Sequence, residues 1–158
     1  MLVIGLGNDY RGDDAAGVLV ARKLSANAAA AGVEVREHQG EPTDLIEGWR
    51  GCDAVVLVDA MCSGAAPGTI RRFDAGTGPL PAASTRRTST HVLSLDSVIE
   101  LSRALMQLPA RLIVYGIEGR SFTPGSQTST QLDAAIPRLT EMISREATTL
   151  MAVPRPPH

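Results

Sequence analysis

Cysteine is scarce in this sequence: Cys52 and Cys62 are the only two among 158 residues. They form no Cys-x-x-Cys pair, and a structural zinc site requires four ligands in short clusters, so a zinc finger or ribbon is excluded. A chain of this length buries a core without disulfide staples. Two scattered thiols point to a reducing compartment, and both are expected to be small buried hydrophobes. An excess of one charge is also missing. Fifteen basic against seventeen acidic residues give a net charge of −2, which leaves no electrostatic footprint for nucleic acid. No basic amphipathic stretch is present to hold a membrane surface, and no apolar run approaches the roughly 20 residues of a membrane helix. The sequence opens directly on Met1-Leu2-Val3-Ile4-Gly5, without the basic start, apolar run and cleavage site of a secretory signal. The expected location is the cytoplasm. Two familiar hydrolase signatures are absent as well: there is no Gly-x-Ser-x-Gly elbow and no His-Glu-x-x-His helix.

What is present alternates. Leu2 to Leu6 is a short apolar run ending in Gly7-Asn8, which predicts a buried strand entering a turn. Beyond the polar segment Asp9 to Asp13, apolar residues recur at Val18, Leu19, Ala21 and Leu24 with helical spacing, and a run of alanines carries the pattern through Ala31 to a stop at Gly32. Val33 to Arg36 alternates like a second strand. Thr43 to Trp49 predicts a short helix entered through Pro42, and Ala54 to Val58 a third, fully apolar strand ending at Asp59. Thr69 to Phe73 is expected as an edge strand. The stretch from Gly76 to Thr90, rich in Gly, Pro, Ser and Thr, is expected as a long loop of the kind that often serves function. His91 is then expected to open a helix through Leu95, Val98, Ile99, Leu101 and Leu105, capped by Ser89 or Thr90. Arg111 to Tyr115 predicts another buried strand and Gln131 to Met151 the closing helix.

Strands alternating with helices predict an α/β fold: a single domain over residues 1–150, with a twisted, mostly parallel sheet of about five strands sandwiched between helices. Residues 151–158 are expected as a disordered tail. In such sheets ligands bind beyond the carboxyl ends of the strands, and Asp13, Asp14, Asp59 and His91 are all expected at that edge.

Each candidate also has a structural explanation. Gly5-Leu6-Gly7 after a strand suggests a dinucleotide loop, but Tyr10 stands where the third glycine belongs, and two aspartates would repel a pyrophosphate. An aspartate at a helix start caps orphan N–H groups; that duty is assigned to Asp13, which leaves Asp14 to project over the sheet edge. Asp59 follows four apolar residues, where a carboxylate is desolvated unless it is paired, hydrogen-bonded or bound to a cation. A single histidine such as His91 is commonly just part of a helix start, and His38 and His158 are set aside as lying at a strand end and in the tail. Two carboxylates and an imidazole at one edge suit either a borderline divalent cation with open coordination positions or an acid–base trio without metal. Cys62 lies close after Asp59, but no adjacent cation marks it as a reactive thiol.

The pattern Gly5-Leu6-Gly7-Asn8-x-x-x-x-Asp13-Asp14-x-x-Gly17 resembles the signature of the hydrogenase maturation endopeptidases. Val55-Val56-Leu57-Val58-Asp59-Ala60, Pro67-Gly68-Thr69, Ser89-Thr90-His91 and Val114-Tyr115-Gly116-Ile117-Glu118 are similar to further segments of that family, in order, so the resemblance runs from residue 2 to residue 145. It implies a phosphorylase/hydrolase-like twisted sheet between helices. The implied activity is removal of a short C-terminal extension from the large-subunit precursor of a nickel–iron hydrogenase after nickel insertion. Asp14, Asp59 and His91 would be both the catalytic and the metal-contacting residues. The implied metal is nickel presented by the precursor rather than held permanently, with no organic cofactor. The implied partner is the large-subunit precursor, without nucleic acid or membrane. The chain departs from the family pattern at Ala15, where glycine is frequent, and at the turn Glu37 to Thr43, where many relatives carry an Asp-Gly-Gly-Thr-like sequence.

Three alternatives compete. Peptidyl-tRNA hydrolase shares a Gly-Leu-Gly-Asn opening, but it would need a basic surface and a histidine soon after that opening, where Asp13-Asp14 stands. A non-catalytic hydrogenase assembly or metal-binding factor would keep the Asp14, Asp59 and His91 cluster without proteolysis. An inactive paralogue is suggested only by the changed turn.

Overall fold

A computed structural model of the chain describes residues 1–28, 32–81 and 94–152. Strand β1 (Leu2–Leu6) is buried along its whole length, because it lies inside the sheet and is covered on both faces. A 3-10 turn (Gly12–Ala15) leads into helix α1 (Ala16–Ala28). Strand β2 (Glu34–His38), helix α2 (Pro42–Trp49), strand β3 (Ala54–Met61) and strand β4 (Ile70–Asp74) follow, then helix α3 (Leu95–Ala104), strand β5 (Arg111–Glu118) and helix α4 (Thr130–Ala152). The sheet order is β2-β1-β3-β5-β4. Among the described strands only β4, at one edge, runs antiparallel, paired with β5.

Alternation along the strands divides the core. Val3, Val56, Val58, Ile113 and Tyr115 face Val20 and Leu24 of α1 and Leu132, Leu139 and Ile143 of α4. Leu2, Ile4, Val55, Leu57 and Leu112 face Leu45 and Trp49 of α2 and Val98 and Ile99 of α3. Trp49 is fully buried, and its Nε1–H donates to Ser102 Oγ across 3.3 Å, so the one polar atom of the ring is satisfied inside the second layer. One helix end is set locally and another by a distant side chain. Glu41 caps α2 by accepting the Asp44 N–H at 3.1 Å, with Pro42 at the first helical position. Arg111 donates to the Leu150 carbonyl near the end of α4 at 2.6 Å, where carbonyls lack helical partners.

Several expectations need correction. Strand β3 continues through Asp59 to Met61, because β5 runs alongside it as far as the Met61–Glu118 pair. The same pairing extends β5 beyond Tyr115. Strand β2 begins at Glu34 and is drawn on to His38 by its register with Leu6. Helix α3 begins at Leu95 with Ser94 at the N-cap position, so His91 does not open it; Ser89, Thr90 and His91 lie outside the described residues. Helix α4 runs from Thr130 through Ala152, one residue beyond the expected Gln131 to Met151 at each end. Leu101 and Leu105, part of the apolar pattern that predicts the helix, are exposed, and so is Cys62, expected to be buried. Cys52 is half-buried and packs against the second core layer. Among the described residues, no helix is long and apolar enough to cross a membrane.

Candidate functional site

The chain leaves β1 through α1 to reach β2, then returns through α2 past β1 to β3. The two crossovers run in opposite directions along the sheet, so the carboxyl ends of β1 and β3 border its topological switch point, where sheets of this kind form a ligand crevice. Open α/β sheets bind ligands at such switch points. Asp14 and Asp59 flank this one. Asp14, 8% exposed, stands in the 3-10 turn that follows β1, and that turn packs on β3. Asp59 is half-buried in β3 and shares the sheet face of Val55 and Leu57; one of its oxygens accepts the Ala60 N–H at 2.8 Å.

The close approach that joins these two elements depends on Gly17. A Cβ there would overlap the carbonyl oxygens of both Leu6 and Val58, so the first turn of α1 rests directly on the ends of β1 and β3. The resemblance motif in which Gly17 stands thus has a packing cause.

His38 enters the same row. It pairs with Leu6, and since Gly5 pairs with Val58, Leu6 falls beside Asp59, which in turn pairs with Gly116. His38 and Asp59 are therefore two strands apart on one face, about 10 Å at ordinary strand spacing. The His38 Nδ1 accepts the Gly40 N–H at 2.8 Å, which places the ring proton of the neutral form on Nε2. Burial holds its pKa below the usual histidine value, although the Asp44 and Glu41 carboxylates pull the other way. The turn after it, together with Ile46, Leu101 and Leu105, lines a groove of about 730 Å³ between α2 and α3.

Asp13 is not the helix cap that its position suggests. It is fully buried, and its carboxylate accepts hydrogen bonds from the segment joining β5 to α4: the N–H groups of Arg120 at 2.6 Å, Ser121 at 3.3 Å and Ser129 at 2.6 Å, and the Ser129 hydroxyl at 2.8 Å. Burial opposes ionisation, but the bonds from Ser129, Arg120 and Ser121 outweigh it and hold the pKa below the ordinary aspartate value. Glu118 does similar work on the other side of the crevice. Only 2% exposed, it accepts the Ser63 N–H and hydroxyl, each at 2.8 Å, and the Gly64 N–H at 2.9 Å, which fixes the loop following β3. Reasoning from sequence missed both clamps. The one available signal was a carboxylate in or beside an apolar strand end, the same signal that singled out Asp59.

The described structure thus brings Asp14 and Asp59 to one edge, while His91 lies outside the described residues. Among the described residues, no group of three or more His, Cys, Asp or Glu side chains is arranged to hold a metal ion. Two carboxylates offer a cation charge and part of a ligand set.

Comparison with known proteins adds a family. The model of the HycI family, described as hydrogenase maturation protease, matches residues 18–146. The hydrogenase expression/formation protein HupD of Thiocapsa roseopersicina is 25% identical over 119 residues, 75% of this chain and 53% of that protein. The chain thus spans about half the length of this curated relative. The crystal structure of the NiFe hydrogenase maturation protease HycI from Thermococcus kodakarensis KOD1 aligns with a TM-score of 0.73 and 29% identity, covering 93% of this chain and 91% of that one. The hydrogenase maturating endopeptidase HybD from E. coli aligns with a TM-score of 0.75 and 25% identity, covering 94% and 91%.

Proposed function

The chain belongs to the hydrogenase maturation protease family, and from that premise we propose that it is a cytoplasmic endopeptidase that removes the C-terminal extension of a nickel–iron hydrogenase large-subunit precursor after nickel has been inserted. One observation carries the proposal: Asp14 and Asp59, from separate elements, flank the switch-point crevice at the carboxyl edge of the sheet. Nickel belongs to the substrate in this reaction. The precursor brings the ion with most of its ligands, and the carboxylates of Asp14 and Asp59, with the imidazole of His91, complete its coordination. Carboxylate oxygens and an imidazole suit a borderline divalent ion. Two carboxylates facing one crevice repel each other, so an arriving cation is favoured over an empty precursor. The ion then acts as a Lewis acid that polarises the scissile carbonyl toward attack by water. A precursor without nickel lacks both the attraction and the polarisation, so insertion and cleavage occur in that order.

The test is incubation of the purified protein with nickel-loaded and nickel-free precursor, with loss of the extension read by intact mass. Cleavage should require nickel, and Asp59→Asn and His91→Ala should abolish it while leaving the circular dichroism and melting temperature near wild type. Full activity in either variant would remove that residue from the metal-contacting set. Stable binding of uncut precursor by the wild type would turn the assignment to a non-catalytic assembly factor.

A further inference from the structure

The two adjacent aspartates after β1 have different surroundings. Asp13 is fully buried, with four donors on its two oxygens: Ser129 N–H on Oδ1, and Arg120 N–H, Ser121 N–H and the Ser129 hydroxyl on Oδ2. Its own N–H donates to the Ser121 carbonyl at 2.9 Å. An ionised carboxylate accepts at both oxygens; an asparagine in its place would turn an NH₂ group toward one or more of these donors. The anion at position 13 is therefore matched to the segment between β5 and α4. Ser129 carries the connection onward, since its hydroxyl also accepts the Leu132 N–H in the first turn of α4 at 3.3 Å.

Besides this grip, the 3-10 turn is held by its own backbone bonds and by packing on β3. No side chain caps it at Arg11. Its internal bonds are Asp14 N–H to the Arg11 carbonyl at 3.1 Å and Ala16 N–H to the Asp13 carbonyl. It enters through Gly12 at φ +55°, where a Cβ would stand 2.7 Å from the Ser121 carbonyl oxygen, so the turn is pressed against the same segment that Asp13 grips. With three residues per turn, successive side chains point about 120° apart, and fixing the direction of Asp13 fixes that of Asp14.

We infer that Asp13 is a positioning residue for Asp14: by tying the turn to Arg120, Ser121 and Ser129, it sets the direction in which the Asp14 carboxylate meets the crevice. Its effect on turnover rests on the proteolytic function proposed above; its hold on the turn does not. The acidic pair thus has a division of labour: Asp13 ties the turn to the segment before α4, and Asp14 stands beside it at the switch point.

Two measurements on the full chain decide the matter. In hydrogen exchange by NMR, Asp13→Asn should release the amides of Arg120, Ser121 and Ser129, and those of Asp14 and Ala16 with them. Release of the loop amides while Asp14 and Ala16 keep their protection overturns the inference, whether or not the precursor is cut. In precursor cleavage, Asp13→Asn should lower kcat roughly 10- to 100-fold, as for a displaced catalytic group, with KM within about twofold. The loss should differ in an Asp14→Glu background; an equal loss in both backgrounds means that Asp13 acts independently of Asp14 and also overturns the inference. If Asp13→Asn does not fold, Ser129→Ala, which removes one of the four bonds, carries both measurements with the same pattern at smaller size. A wild-type protein that leaves the precursor uncut sinks the proteolytic proposal alone, and the exchange data then decide this one.

Discussion

Replacing Glu146 by glutamine tests how the edge of the sheet is held to its covering helix. Glu146 projects from α4, and its carboxylate receives Arg72 of β4 through two bonds, Nε at 2.6 Å and Nη2 at 2.9 Å, and the Tyr115 hydroxyl of β5 at 2.8 Å. The Glu146 side chain is 11% exposed and that of Arg72 42%. A hydrogen bond to a charged group contributes about 1.5–3 kcal/mol. Solvent screens the arginine end, and glutamine retains one carbonyl acceptor, so the net loss belongs near the bottom of that range, about 1–2 kcal/mol. For a domain near 150 residues this lowers the melting temperature by about 2–8 °C.

The pH dependence has a definite sign. The Arg72 bonds hold the Glu146 carboxyl below its ordinary value of 4.5; burial opposes this, and the Tyr115 hydroxyl assists it. A carboxylate depressed in the folded state stabilises fully above its unfolded pKa, and that contribution disappears as pH falls through the folded pKa. Burial first, then the bond to Glu146, pushes Tyr115 up to about 12, so its hydroxyl remains a donor throughout. The melting gap between wild type and Glu146→Gln should therefore be constant from pH 7 to about 5 and close below it, as glutamate becomes a neutral acid. Asp13 is depressed as well and adds to acid lability in both proteins, so the gap isolates Glu146. Calorimetric melting curves measure it. A variant as stable as wild type at pH 7, or a gap undiminished at the acid end, would refute the assignment.

Gly17→Val should cost about 3 kcal/mol or prevent folding, because its side chain collides with the Leu6 and Val58 carbonyls; urea denaturation reads the loss. Glu118→Ala should cost about 2 kcal/mol by removing the acceptor of the Ser63 and Gly64 N–H groups, and those two amides should exchange faster while the β1 amides remain protected. Ser102→Ala should cost about 1 kcal/mol by leaving the Trp49 indole N–H without its acceptor. Trp49 is the sole tryptophan, so its fluorescence reports that unfolding transition directly.

How far the sequence was legible depended on the distance over which each feature is decided. β1 and α2 match their expected ranges closely because apolar runs, Pro42 and a capping residue settle them within a few positions. β3 and β5 were read short. Asp59 interrupts the apolar run, and only the neighbouring strand, more than fifty residues away, shows that pairing continues to Met61 and Glu118. The start of α3 was misplaced because several Ser and Thr residues offer caps, and the choice of Ser94 depends on how Leu95, Val98 and Ile99 seat against the sheet. Leu101 and Leu105 share their helical period with buried neighbours, yet are exposed among the described residues.

Asp13 and Asp14 show the same limit at the site itself. Identical residues side by side are indistinguishable to any local rule, and the capping rule gave Asp13 the wrong duty because its partners stand 107 to 116 positions further on. The rule that did carry was topological. An alternating chain must reverse its direction of winding somewhere, and the residues just past the strands at that reversal border a crevice whatever their neighbours are. Asp14 and Asp59 satisfy it through the order β2-β1-β3. Topology therefore selects the edge, and long-range hydrogen bonds show which acid at that edge is tied to the far end of the chain. An acidic pair after the first strand of such a sheet is best assigned by asking which carboxylate the far end of the chain has already bound.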